Sequence, residues 1–522
     1  MTNISKKIWE LIKENKFYIC LAVIFIIALS LRLYAIHNKT TLTFDDPSSY
    51  VVITQNNYFR NYTFKYNWSD LRFEYSRNYT AYEMKKALFE CRSDLKSIWE
   101  DLVSLHFFTI DRQHPNLYYS ILRIWSSGVD FSSQKDIILR GCYLNLIFFP
   151  LTFFFLYKLL NLINPDRSFV ALGLFFAFVT TGGISNTMLI RPYPMMECFF
   201  ILIIYLFVNM YNSIDKDFDF SIKRILFGSF CFALMLLSHY YSIFLVLFIS
   251  IAITIKCIQS KNINFLRNYY IMIGLALLLV WLFCPLYFVN FKTMEHMQET
   301  KAASTLLNFL NFKKYGISLI DTFDLFIFNN IGFYIILYMC AAFCPILLKK
   351  DALKGFNWQN FKIIFAIVLF WSYLITVIAP FDDPASIRYT IAGFSIVSIL
   401  LTFMTYCFRK PIIAFLVVIT LICSFVSIKY NISMKNSKYK NLGLVSYYKE
   451  FKLFDLSKHI YDKAGNRIPI VFIRKNWVFA NYIFYLPNDE IVRLERKAPP
   501  KDYVFDSYLL IDVANLRGIY VK

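Results

Sequence analysis

Residues 270–289 read YIMIGLALLLVWLFCPLYFV, a run in which no side chain carries a charge. A helix needs about 20 such residues to cross the hydrocarbon core of a bilayer, which is about 30 Å thick. Similar runs recur along the 522-residue chain, of which 57% is hydrophobic. A single buried core helix cannot account for them, so the sequence predicts an α-helical protein that crosses a membrane many times.

Eleven runs are long enough to be predicted as spans. They are 17–36, 137–160, 168–184, 194–211, 225–238, 241–256, 270–289, 331–348, 362–379, 389–408 and 411–428. The stretch 225–256 fits either one tilted helix or two short helices. We predict two helices that meet at Ser238-His239-Tyr240-Tyr241, because a polar histidine lies in the middle of this run.

The orientation of the spans follows from the positive charges in the short loops. Lys and Arg cluster before the first span, at Lys6, Lys7 and Lys13, and then in alternate loops. Short loops rich in Lys and Arg stay in the cytoplasm. The sequence therefore predicts a cytoplasmic N-terminus over residues 1–16 and an outer location for the C-terminal segment. The first span has no small-residue cleavage site after it, which indicates a retained anchor.

Two long segments, 37–136 and 429–522, fall on the outer side. The first is too long for a simple connection, and within it Leu95, Ile98, Trp99, Leu102 and Val103 share one face of a predicted helix. That face suits either the membrane interface or the core of its own loop. In the second segment, the apolar run 468–473 and the strand-like run 507–513 alternate with helical patterns, which predicts a small α/β domain.

The formal net charge of +20 suits anionic lipid head groups or substrates that carry phosphate. A composition rich in Lys, Asn, Ile and Phe explains the same charge more simply. Nothing in the sequence predicts a nucleic-acid partner. The lipid bilayer is therefore the one partner that composition by itself indicates.

Polar clusters beside the outer ends of the spans are the candidates for chemistry. Asp45 and Asp46 follow the first span, and with Pro47 the second carboxylate also has the form of a helix N-cap. The stretch 111–119 contains His114 and Tyr118. A cap requires one carboxylate and this sequence has two, which favours a functional pair.

The other two clusters supply cations. Arg191 and Tyr193 lie in the turn before the fourth span, where an arginine can also simply extend toward the interface. Arg388 lies in the stretch 382–389 at the tenth span, and Arg140 lies at the start of the second span. Carboxylates and cations on one face suit the transfer of a sugar from a lipid phosphate. The departing phosphate is already a good leaving group, so a carboxylate base and phosphate-binding cations are sufficient.

In this order the motifs resemble those of the bacterial family 39 glycosyltransferases. The motifs are the acidic pair, His114 before Pro-x-Leu-Tyr-Tyr, Arg140, Arg191-Pro192-Tyr193, Ser238-His239-Tyr240 and Arg388-Tyr389. The family is the protein O-mannosyltransferase and aminoarabinose-transferase-like branch of the GT-C superfamily. The resemblance covers about residues 15–430.

The resemblance implies a GT-C-type transmembrane catalytic domain over residues 17–428, with 37–136 as a first periplasmic loop with interfacial helices and 429–522 as a periplasmic C-terminal domain. It implies a protein of the bacterial inner membrane with its active site on the periplasmic side. The implied activity is inverting transfer of a sugar from a polyprenyl-phosphate donor. The acceptor would be lipid A, lipopolysaccharide, another glycan or a protein.

The resemblance also implies roles for individual residues. Asp45 and Asp46 match the catalytic acidic pair. Implied donor-phosphate ligands are His114, Arg191, Arg388 and Arg140, and implied substrate-binding residues are Tyr118, Tyr193, His239 and Tyr240. The family's acidic pair is Asp-Glu, whereas this chain has Asp46 in the second position, which shortens the reach by one methylene. Relatives often have Glu two residues before the arginine of the Arg-x-Tyr motif, whereas this chain has Leu189. No metal ligand is therefore assigned, and a divalent cation is allowed by the chemistry but not required.

The main alternative is a lipid or glycan transporter or flippase without transferase activity. Transporters place ionisable residues near the bilayer midplane and show internal repeats. In this sequence the polar groups gather at one predicted surface and no repeat is evident, which favours the transferase. The sugar, the acceptor and the oligomeric state stay open.

Overall fold

The computed structural model describes a mostly helical chain. Described are residues 3–39, 46–54, 75–108, 114–216, 220–289, 354–378 and 393–430, the short stretches 469–473, 486–495, 509–512 and 519–521, and a few isolated positions. Within these residues the chain divides into two compact units. Unit 1 comprises residues 1–38, 113–115 and 145–444, and unit 2 comprises residues 39–112, 116–144 and 445–522.

The helices are numbered here in chain order. They are α1 (Asn3–Asn38), α2 (Asp46–Ile53), α3 (Ala81–Phe89), α4 (Leu95–Phe108), α5 (Leu117–Trp125), α6 (Gln134–Ile163), α7 (Arg167–Val179), α8 (Thr181–Met188), α9 (Tyr193–Ser213), α10 (Ile222–Ser238), α11 (Ser242–Gln259), α12 (Ile263–Phe283), α13 (Trp358–Ile378), α14 (Phe394–Tyr406) and α15 (Lys410–Tyr430).

The class of multi-pass helical membrane protein is confirmed, but the count of eleven spans is not reached. Among the described residues, six helices are long and apolar enough to cross a membrane, or seven if the bent pair α7 and α8 is one span. Helices α10 and α14 coincide with predicted spans but are shorter, with 17 and 13 residues. Of the predicted span 331–348 only Leu348 is described, so this span is not tested.

The division of 225–256 into two helices is confirmed. Helix α10 ends at Ser238 and α11 begins at Ser242. Between them His239 has extended backbone angles, with φ −163° and ψ 142°. The break therefore places His239, Tyr240 and Tyr241 between two helix ends in unit 1.

A second break separates α7 from α8, which meet at an angle of 48°. Thr180 is extended at the junction, and its hydroxyl accepts a hydrogen bond from the Gly183 amide at 3.3 Å. The Thr180 hydroxyl also donates to the Phe176 carbonyl at 2.9 Å. The chain thus ends one helix and caps the next with a single residue.

The buried side chain of Arg32, in α1, binds carbonyl groups on both sides of this break, that of Phe178 at the end of α7 and that of Gly183 in the first turn of α8. Its guanidinium donates to the carbonyls of Phe178 and Gly183, each at 2.6 Å, and to the Thr187 hydroxyl at 3.2 Å. A further hydrogen bond goes to the Ala28 carbonyl of its own helix at 3.0 Å. Carbonyl groups at a helix C-terminus have no partner within the helix, and they favour a cation.

Unit 2 contains α2 to α5 and a five-stranded sheet. The strands are β1 (Asn78–Thr80), β2 (Ile470–Ile473), β3 (Ile491–Glu495), β4 (Leu509–Asp512) and β5 (Ile519–Val521). Their order across the sheet is β1-β3-β2-β4-β5. Strand β2 runs parallel to β3 and β4, and the two edge strands are antiparallel to their neighbours.

The strands β2 and β4 confirm the strand predictions at 468–473 and 507–513. Strand β1 was not predicted, and it brings the segment after the first span into the same sheet as the C-terminal segment. Lys85 in α3 reinforces this connection, because its buried ammonium donates to the Leu486 carbonyl at 2.8 Å and to the Asn488 side chain at 2.9 Å. Burial lowers the pKa of Lys85.

Helix α4 buries Asp101 and Leu105 and exposes two large apolar residues, Leu95 and Trp99. Asp101 is buried against the fully buried guanidinium of Arg123 from α5. On another face, Leu95 is 84% exposed and Trp99 is 69% exposed. The predicted face is therefore divided, with Leu95 and Trp99 exposed and Ile98, Leu102 and Val103 half-buried.

Gly183 provides a direct test of the α7–α8 break. A Cβ atom at this position would lie 1.9 Å from the Ala177 carbonyl oxygen, a backbone atom. We expect Gly183→Ala to lower the free energy of unfolding by about 3 kcal/mol or more. The matched control is Gly274→Ala, where an added Cβ meets nothing within 4 Å. There we expect a gain of about 0.5–1 kcal/mol from helix propensity.

Thermal unfolding of the purified protein in detergent measures both variants. Equal unfolding temperatures for Gly183→Ala and the wild type would mean that α7 and α8 do not meet as described.

Candidate functional site

The structure describes eight of the ten residues that the sequence analysis selected. Asp45 and Arg388 lie outside the described residues. Five of the eight belong to unit 1 and three to unit 2. Those in unit 1 are His114, Arg191, Tyr193, His239 and Tyr240, and those in unit 2 are Asp46, Tyr118 and Arg140.

In unit 1, three selected side chains from distant parts of the sequence come together. The ring centroids of His114 and His239 are 4.9 Å apart. The Tyr193 ring lies 6.3 Å from His114 and 5.9 Å from His239, with which it stacks. All three side chains are buried. We call these three residues the histidine cluster.

The break between α10 and α11 orients His239. The Tyr241 amide donates to His239 Nδ1 at 3.2 Å, and the Ser242 amide donates to the His239 carbonyl at 3.0 Å. Because Nδ1 accepts this hydrogen bond, we infer that the proton of the neutral ring is on Nε2. His239 can therefore present an N–H donor on the side of the ring opposite Nδ1.

The start of α9 carries Tyr193, with Pro192 as the N-cap residue. Pro194 follows at the second helical position, where the amide that proline lacks would have no partner. Arg191 precedes the cap and is buried, and its amide donates to the Leu189 carbonyl at 2.8 Å. The N-terminal end of a helix carries partial positive charge and favours anions.

The turn before α9 is held by Asn145 of α6. Its amide group donates to the Thr187 carbonyl at 3.2 Å and also to the Leu189 carbonyl. The Asn145 side chain thus provides hydrogen bonds to two carbonyl groups at the end of α8, where the helical hydrogen bonds stop. This arrangement fixes the backbone that carries Arg191 and Tyr193.

Tyr240 and Tyr241 complete the surroundings of the break. The Tyr240 ring packs against that of Tyr287, with centroids 4.8 Å apart. Trp371 of α13 is fully buried, and its indole nitrogen donates to the Tyr241 carbonyl at 3.2 Å. The break between α10 and α11 is therefore in contact with two aromatic side chains, Tyr287 and Trp371.

Sequence reasoning missed Glu197 and Arg32. Glu197 lies one turn after Tyr193 on α9, where it accepts hydrogen bonds from the Asn186 amide at 2.6 Å and from the Ser395 hydroxyl. Both Arg32 and Glu197 are buried within spanning helices. Arg32 lies six residues before the end of α1, and Glu197 lies four residues after the start of α9. Single charges inside apolar runs were the signal that could have found them.

In unit 2, Asp46 is fully buried in an ion pair. Its Oδ2 atom is 2.6 Å from Lys39 Nζ, and the Lys39 side chain is only 3% exposed. Sequence reasoning missed this lysine, although it lies seven residues before Asp46. One carboxylate oxygen of Asp46 is therefore occupied by an ammonium group.

Tyr118 lies close to this ion pair within unit 2. Tyr118 and Tyr50 are fully buried, and burial raises the pKa of both phenols well above the usual value. Both rings therefore stay neutral. Arg140 is exposed, and its carbonyl accepts a hydrogen bond from the Trp125 indole at 2.8 Å.

Within the described residues, no group of three or more His, Cys, Asp and Glu side chains is arranged to hold a metal ion. No model of a known protein family matches the chain, and no curated protein matches it. The resemblance to the family 39 glycosyltransferases thus stays a prediction.

The ion pair of Asp46 leads to a stability prediction. Lys39→Met would leave a buried carboxylate without its cation, and we expect a loss of about 3–5 kcal/mol in the free energy of unfolding. Replacing both residues, as Lys39→Met with Asp46→Leu, removes the unpaired charge and should restore at least half of that loss. Chemical denaturation in detergent checks both variants. Additive effects of the two substitutions would contradict a direct ion pair.

Proposed function

We propose that this protein is an inverting glycosyltransferase of the inner membrane. It moves a sugar from a polyprenyl-phosphate donor to an acceptor on the periplasmic side, which is a lipid, a glycan or a protein. The proposal includes a GT-C-type bundle of about eleven spans, a cytoplasmic N-terminus and a periplasmic C-terminal domain. Asp45 and Asp46 are the proposed catalytic carboxylates.

One observation carries the proposal. The histidine cluster lies at the N-terminal end of the spanning helix α9, next to Arg191. Imidazole and guanidinium groups are donors that bind phosphate, and the helix end adds partial positive charge. A phosphate attached to a polyprenyl chain must lie where a spanning helix ends, because its charge cannot enter the hydrocarbon core. The cluster supports such a position for the donor.

The proposed reaction is a single displacement at the anomeric carbon. The acceptor hydroxyl loses its proton to a carboxylate, and its oxygen forms the new bond to the anomeric carbon. The bond from that carbon to the phosphate oxygen breaks, and the electron pair leaves on the lipid phosphate. Nearby donors stabilise the charge that develops there. The leaving group requires no general acid, so one carboxylate is sufficient.

The exposed apolar residues of α4 support a peripheral membrane contact in the same proposal. Leu95 and Trp99 point away from the buried Asp101. Tryptophan is enriched at membrane interfaces, where its ring contacts both lipid and water. Helix α4 would then lie in the periplasmic interface, as the sequence indicates for the segment 37–136.

A second candidate function, transport of a lipid or glycan, is favoured by one observation. The bent pair α7 and α8 is a discontinuous helix with buried charges nearby, an arrangement that transporters use to bind substrates. However, the carbonyls of Phe178 and Gly183 at this break bind Arg32 and not a substrate. We therefore rank transport second.

The proposal is tested by comparing envelope glycans of a deletion strain that is complemented with variants. His114→Ala and His239→Ala each remove a donor from the cluster, and we expect the glycan product to fall by about 100-fold. His37→Ala at the exposed end of α1 is the matched control and should keep wild-type levels. Mass spectrometry of lipopolysaccharide and surface glycoproteins measures the product.

Purified membranes separate the two candidate functions. With a labelled polyprenyl-phosphate sugar, a transferase releases polyprenyl phosphate, whereas a transporter leaves the donor intact. Unchanged envelope glycans in the deletion strain, together with an intact donor, would rule out the transferase.

A further inference from the structure

Two helices begin at the histidine cluster. Helix α9 begins at Tyr193, and α11 begins at Ser242, three residues after His239. The stacked rings of Tyr193 and His239 bring the two starts together. Neither start has a side-chain cap, and each helix has at least 18 residues. Two partially positive helix ends thus meet in one small region of unit 1.

Two buried hydroxyl groups in this region make no hydrogen bond to the described residues. Ser242 is the first residue of α11, so its hydroxyl lies at the N-terminus of that helix. Tyr287 packs against Tyr240 in the break. Both side chains are fully buried, and in the part of the chain that the structure describes neither hydroxyl makes a hydrogen bond.

Such hydroxyls are unusual, because native proteins pair nearly all of their buried polar atoms. An unsatisfied buried hydroxyl destabilises the fold, and each exception calls for an explanation. A ligand that accepts hydrogen bonds would satisfy both groups. The surrounding helix ends favour a ligand that is also an anion.

We propose that Ser242 and Tyr287 bind the phosphate of the lipid-linked donor, together with the N-terminal ends of α9 and α11. This inference rests on the proposed function, and it adds two residues to which the sequence analysis assigned no role. The two hydroxyls donate to phosphate oxygens, and His239, three residues before Ser242, has a further N–H donor at Nε2. A phosphate has enough oxygen atoms to accept all of these hydrogen bonds.

The test uses Ser242→Ala and Tyr287→Phe in the full-length protein. Since neither hydroxyl bonds to the described protein, we expect the unfolding temperature to stay the same or to rise. Affinity for dodecyl phosphate, a single-chain analogue of the donor's lipid phosphate, should fall about 10-fold in each variant, as for the loss of one hydrogen bond to a charged group. Calorimetry in detergent measures this binding.

Matched controls exist in α11 and α12, at Ser250 and Tyr269. The Ser250 hydroxyl of α11 donates to the Val246 carbonyl at 2.8 Å and pairs with the Tyr269 hydroxyl at 2.9 Å. Ser250→Ala and Tyr269→Phe remove a hydroxyl that the fold uses. They should lower the unfolding temperature and leave the affinity for dodecyl phosphate unchanged, the reverse of the test variants.

Inorganic phosphate is the second probe, because it separates a lipid-borne phosphate from a free one. Weaker binding of inorganic phosphate, with the same dependence on Ser242, supports a lipid-linked ligand. Equal affinity for both probes would overturn that assignment. Wild-type affinity in both variants, or no binding of dodecyl phosphate to the wild type, would overturn the site itself.

Different experimental results would contradict the phosphate site and the proposed transferase function. Binding of dodecyl phosphate that depends on Ser242, without any change of glycans in the deletion strain, would support the site and contradict the transferase. Altered glycans with wild-type binding by Ser242→Ala and Tyr287→Phe would support the transferase and contradict the site.

Discussion

The interior of unit 1 depends on the contact between Arg32 and the break in the chain after α7. Carbonyl groups without partners are costly inside a membrane, and so is a charged guanidinium. Here Arg32 donates to the Phe178 carbonyl at the C-terminal end of α7, so that the carbonyl gains a donor and the guanidinium gains an acceptor. The Phe149 ring lies 4.3 Å from the guanidinium and adds a cation–π contact. A continuous helix would leave Arg32 without this acceptor.

The position of the candidate site follows from this contact. Once α7 ends, the short helix α8 turns away and the chain reaches Tyr193 through a turn that Asn145 holds. Glu197 then binds α9 to α8 and α14 through Asn186 and Ser395. Side chains from four helices therefore determine where α9 begins, and the histidine cluster forms at that point.

The chemistry of unit 1 differs from what the formal charge of +20 suggests. The clustered groups are two imidazole rings, a tyrosine ring and the ends of two helices. Lys39, by contrast, is neutralised by Asp46 within unit 2. Partial charges on a rigid backbone need no reorganisation to bind an anion, which suits recognition of a phosphate in a dry environment.

The sequence by itself determined the class of protein, most of the helices, the break at 238–242 and two strands of the sheet. These features depend on hydropathy and on the periodic spacing of apolar residues, which are local properties of the sequence. Only the tertiary structure determined which residues far apart in the sequence contact each other. Arg32 meets Thr187 across 155 positions, and β1 joins a sheet whose other strands begin at Ile470. The tertiary structure also determined that Leu95 and Trp99 of α4 are exposed. No local pattern encodes which distant group satisfies a buried charge, because that depends on how the helices pack.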